Sequence, residues 1–105
     1  MKFIITENQK ERIALNWMNN NFSPDQLEAV ESSIYPNSIF YKKNGDIVMS
    51  QDKENHRFWF SYSQIWLFFE TFFLMEYKEI QAVLNIWLEE TFKLKDYTPR
   101  AEYLR

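Results

Sequence analysis

The stretch Ile65–Met75, IWLFFETFFLM, constrains this chain more than any other. Nine of its eleven residues are apolar and five are aromatic, so whatever fold forms must keep the segment dry. A membrane span needs about 20 apolar residues, and this run is about half that length. It is also interrupted by Glu70 and Thr71. The alternative is a central helix with apolar groups all round its axis, the pattern of a helix buried inside a domain. Ser61 or Ser63 can cap such a helix, with Ser63-Gln64 before Ile65 as the expected start.

The flanking segments read as elements that cover this helix. Thr6-Glu7-Asn8-Gln9 fits a capping box, with a hydroxyl at the cap and an amide three residues on. A helix should follow to about Asn20, where Ile13, Ala14, Trp17 and Met18 recur at helical spacing. Before it, Lys2–Ile5 is a short apolar run suited to an edge strand or an extended lead-in. Ser23-Pro24-Asp25-Gln26 is a second cap signal, which opens either a short helix through Leu27 and Val30 or a loop with one helical turn.

Asn44-Gly45 lies between two β-prone runs, Ser38–Lys43 and Asp46–Ser50. This is the strongest local hairpin signal, because both central residues of a type I′ turn need positive φ. A regular register pairs Lys43 with Asp46 and Tyr41 with Val48. It places Phe40, Ile47 and Met49 on one face and Ile39, Tyr41 and Val48 on the other. His56–Tyr62 adds a third antiparallel strand, with Phe58, Phe60 and Tyr62 on one side and Trp59 on the other. Over Tyr77–Phe92 the apolar positions Tyr77, Ile80, Val83, Leu84, Trp87, Leu88 and Phe92 keep to one helical stripe.

The expected fold is therefore α+β: an N-terminal helix, a three-stranded antiparallel meander, and a C-terminal helical hairpin packed on the sheet. A single domain should occupy residues 1–92, with a tail over 93–105. A chain of 105 residues can bury a core without disulfides or metals. It contains no cysteine, which removes thiolate chemistry and suits a reducing compartment. Nothing at the N-terminus resembles a signal peptide, so secretion by that route is not expected.

Chemistry is sparse. His56 is the single histidine, at a strand start, and reads as a surface residue. The acid pairs Glu89-Glu90, Asp25/Glu28 and Glu76/Glu79 read as solvated faces. With one glycine, the chain has no standard phosphate loop or dinucleotide fingerprint. No nucleophile elbow is present either. The reading is of a protein that is not an enzyme and uses no cofactor and no metal. Charge is uneven: residues 63–92 carry one positive and five negative charges, residues 32–62 four and three, and the last thirteen four and two. An acidic helical body opposes phosphate binding, which wants clustered Lys and Arg.

Aromatic content of 19% is high, with ten Phe, six Tyr and four Trp. Interface centres are enriched in these residues. The expected function is protein interaction or self-association, with Tyr41 and Trp59 on the second sheet face and Trp66, Phe69 and Phe73 on the central helix as anchors. The alternative is single-stranded nucleic-acid binding, with Tyr41 and Trp59 stacking bases and Lys42, Lys43, Lys53 and Arg57 near phosphates.

Several segments together resemble short uncharacterised proteins encoded by tailed bacteriophages, especially marine and environmental ones. They are KFIITENQ at the start, YPNSIFYKKNGDIV, FWFSYSQIW, YKEIQAVLNIWLEETFKL and TPR. That group has no established activity, and none of these segments is a chemical motif. What the resemblance implies is a phage-encoded accessory protein, either a minor virion component or a factor that binds a host protein. A composition rich in Asn, Lys, Ile, Phe and Tyr also fits an AT-rich genome.

Overall fold

The computed structural model describes residues 7–103, with side chains from residue 9 onward. The predicted strand at Lys2–Ile5 and the cap at Thr6 lie outside the described residues. Helix α1 runs over Glu7–Asn21. Its last turn is closed by Asn21, whose Nδ2 donates to the Trp17 carbonyl at 2.8 Å. A tight 3₁₀ turn follows at Pro24–Gln26, where the Gln26 side chain bridges the Ser23 N–H and the Asn20 carbonyl.

The sheet has five strands, β1 Glu28–Glu31, β2 Ser38–Lys43, β3 Asp46–Asp52, β4 Arg57–Ser61 and β5 Thr98–Glu102, in spatial order β1-β2-β3-β4-β5. The three predicted strands form its centre. Two more lie at its edges. Segment 28–31, expected as a helix or loop, pairs antiparallel with β2, and the expected tail supplies β5, parallel to β4. Pro99 has no N–H to give a ladder, which suits it to an edge strand.

The hairpin turn forms as its sequence demands, with φ of 53° at Asn44 and 88° at Gly45. Its register holds for only two pairs, Lys43 with Asp46 and Lys42 with Ile47. Val48 is then an extra residue, a bulge, and Tyr41 faces Met49 while Phe40 faces Ser50. The slip changes the expected faces. Tyr41, Met49, Phe58 and Phe60 share the core side, and Phe40, Ile47 and Trp59 share the other.

A parallel return from β4 to β5 requires the chain to cross over one face of the sheet. Residues 62–97 make that crossing. Ser61 Oγ accepts the Gln64 N–H at 3.4 Å, so the helical path begins at Tyr62, earlier than the expected Ser63 cap. A wide first turn, Tyr62–Trp66, leads into α2, Leu67–Thr71. Helix α3, Tyr77–Trp87, extends through a wide last turn to Phe92, the predicted span. Lys93 ends it in the left-handed conformation at φ 59°.

The helices do not pair as expected. α3 packs beside α1 rather than in a hairpin with α2: Lys10 Nζ lies 4.0 Å from Glu79, and Trp87 Nε1 donates to Asn19 Oδ1 at 3.0 Å. Both helices therefore run in the same direction. Their shared core is fully buried at Ala14, Met18, Ile80, Leu84, Trp87 and Leu88, and it meets Phe58 and Phe60 from the sheet. One polar strand of contacts crosses this core. Tyr41 Oη donates to Gln51 Oε1 at 3.2 Å, and Gln51 Nε2 donates to Tyr97 Oη at 2.9 Å. Burial, with the Tyr97 hydroxyl adding to it, pushes the Tyr41 phenol above its ordinary range.

Candidate protein-interaction surface

An aromatic ladder runs from the core to solvent where α1 and α2 meet. Trp17 of α1 stacks flat on Phe68 of α2, with centroids 4.1 Å apart and planes 6° apart. Phe68 in turn stacks on Phe72 at 4.3 Å and 16°. Phe73 meets Trp17 and Phe69 edge-on, at 6.3 and 5.6 Å. Phe69 is fully buried, whereas Phe72 at the outer end is 71% exposed. With Ile13, Asn16 and Asn20 the outer rungs line a groove of about 450 Å³.

The local sequence explains this surface. A short helix that is apolar on every side can turn only part of its circumference inward. Ile65, Trp66 and Phe69 take the buried side, which leaves Leu67, Phe68 and Phe72 outward. The polar interruptions are absorbed close by. Glu70 accepts the Tyr62 hydroxyl at 2.7 Å, a bond that raises the Tyr62 pKa, and Thr71 Oγ1 donates to the Leu67 carbonyl at 2.8 Å. Ile13, Leu67, Phe72 and Leu74 are all exposed and all lie on α1 or on the α2 segment. Of these, Ile13 and Phe72 line the groove together with Trp17, Phe68 and Phe73.

Of the five sequence-predicted anchors, three are core residues. Trp66 and Phe69 are fully buried and Tyr41 is 8% exposed. The bulge at Val48 turns Tyr41 inward, and the phase of α2 turns Trp66 and Phe69 inward. Phe73 is half-buried and lies in the ladder, while Trp59 is half-buried on the outward sheet face. Trp17, Phe68 and Phe72 were missed. A helix apolar all round carries no moment by which sequence could distinguish Phe68 from Phe69.

The outward sheet face is a second surface. Phe40, Ile47 and Trp59 stand outside the core and line a depression of about 260 Å³ with Ser50 and Glu102. The set proposed for stacking on nucleic acid is dispersed, because Tyr41 and Trp59 point to opposite faces. Lys43 is also engaged elsewhere: its Nζ donates to the Asn21 carbonyl and lies 4.7 Å from the centre of the Phe22 ring.

Among the described residues no three His, Asp or Glu side chains stand close enough to hold a metal ion. His56 is exposed and stacks on Tyr97 at 5.3 Å. No helix among the described residues is long and apolar enough to cross a membrane. No protein-family model, curated protein or solved structure matches the chain.

Proposed function

We propose that the protein is a non-enzymatic protein-interaction module, a phage-encoded accessory protein that acts as a minor virion component or binds a host protein. The observation that carries this reading is the Trp17–Phe68–Phe72 ladder, whose outer end is left in water. An aromatic with two torsions loses little entropy on contact and buries a large area, which makes such rungs efficient anchors. Phe73 supports the ladder from its edge. The groove lining contains no charged side chain, so contact there relies on apolar burial and on the amides of Asn16 and Asn20. The phage origin rests on the segment resemblance, and a place in the host cytoplasm or the virion follows from it.

The test is an affinity capture from lysate of the source with wild-type protein and with Phe72→Asp, each at low and high salt. The reading expects a defined protein that survives high salt and is lost with the variant. Nucleic acid alone, released by high salt, would replace this reading with the stacking alternative.

A further inference from the structure

The outward sheet face carries a second feature, independent of the helix-side ladder. Trp59 is the one tryptophan among the described residues whose ring makes neither an aromatic contact nor a side-chain hydrogen bond. Across β3 from it, Phe40 stands in the same cross-strand row, Phe40–Ser50–Trp59. The rings and Ile47 shape the apolar wall of the depression, and Glu102 on β5 is the only charged residue that lines it. The Glu102 carboxylate has no hydrogen bond or ion pair among the described residues; the one ion pair there is Lys10–Glu79. Arg100 lies beside Trp59 on the same face, yet it does not line the depression or sit over the ring.

A half-buried indole and phenyl next to a carboxylate that has no partner among the described residues form the two halves of a receptor for an organic cation. The ring faces attract positive charge, and the carboxylate pairs with it. A guanidinium fits best, because it is planar, stacks on indole and donates two parallel hydrogen bonds to one carboxylate. We propose that this depression takes an arginine side chain presented by a protein partner.

The experiment uses the full chain labelled with ¹⁵N and follows the indole N–H signals, with Trp59→Phe assigning one of them. The probe is acetyl-Gly-Gly-Arg-Gly-Gly-amide, and the control replaces arginine by citrulline, which has the same shape without charge. The proposal expects saturable movement of the Trp59 signal. The citrulline peptide should need about threefold to tenfold more for half-saturation. Glu102→Gln should remove that difference and leave the melting midpoint unchanged, since the Glu102 carboxylate has no hydrogen-bond or ion-pair partner among the described residues. Equal response to both peptides, or a Trp59 signal that ignores both, overturns the proposal. So does a Trp59 signal that moves only with a single-stranded oligonucleotide. If Arg100→Ser binds the arginine peptide while the wild type does not, the chain's own Arg100 fills the site and the partner assignment falls. Should Glu102→Gln fail to fold, the citrulline comparison on wild-type protein still decides. The Trp17 signal reports the helix-side ladder separately, so failure at one surface is distinguishable from failure at the other.

Discussion

Trp87→Ala is the most informative stability change, because Trp87 joins all three parts of the core. Its ring is fully buried. It packs against Phe60 of the sheet at 6.1 Å and Phe92 at 5.1 Å, and its Nε1 ties α3 to Asn19 of α1. Truncating a buried Trp to Ala typically costs about 3–5 kcal/mol through lost transfer energy and the cavity left behind. The lost hydrogen bond adds at most about 1 kcal/mol, because Asn19 is exposed and its freed amide oxygen turns to water. At roughly 4–5 °C per kcal/mol for a domain of this size, the melting midpoint should fall by about 12–30 °C. Circular dichroism melts and urea titrations measure this directly. Trp87→Phe keeps most of the ring contacts but removes the donor, and it should lose about 1–2 kcal/mol. A Trp87→Ala midpoint within about 3 °C of wild type would refute the packing of α3 between α1 and the sheet.

Other changes probe the remaining parts. Lys93 holds φ 59° at the end of α3. Lys93→Gly should therefore raise stability by up to about 1 kcal/mol in a urea titration. Deleting residues 97–105 removes β5 and the Tyr97–Gln51 bond; it should abolish cooperative thermal unfolding, whereas a dispensable tail would leave the melt unchanged. Tyr41 has a phenol pKa raised mainly by burial. Its contribution is present below pH 10 and is lost as pH rises through the folded-state value, so stability should fall in alkali and Tyr41→Phe should flatten that limb. Asp52 is the opposite case. Bonds from Asn55 and from the Glu54 N–H lower its pKa, so its contribution is lost as pH falls below the ordinary carboxylate range, and Asp52→Ala should flatten the acid limb.

Much of the centre of the fold was legible in the sequence. Asn44-Gly45 located the hairpin; alternation in His56–Tyr62 separated Phe58 and Phe60 from Trp59, although Tyr62 opens the helical path instead of ending the strand; and the stripe over Tyr77–Phe92 located α3 with Ile80, Val83, Leu84 and Trp87 buried, although Tyr77 is exposed. The missed strands lacked their own signal. Glu28–Glu31 reads EAVE and Thr98–Glu102 reads TPRAE, so neither has the β-branched or aromatic alternation that marks a strand; both form because a neighbouring edge offers a ladder. The bulge at Val48 carries no glycine to announce it, and this one extra residue moved Tyr41 from the expected contact surface into the core. The site was legible as a region and not as residues. Ile65–Met75 was expected to be kept dry, yet Phe72 and Leu74 stand in water, and its uniform apolar character hid which of its aromatics would face out.

Phe72 is the position proposed to meet a protein partner. Photo-reactive benzoyl-phenylalanine placed at Phe72, irradiated in lysate of the source, tests it directly. Tyr35, 61% exposed in the loop before β2, is the matched control position. A discrete cross-linked protein is expected from position 72 and not from position 35. Identical products from both positions, or none from position 72, would contradict it.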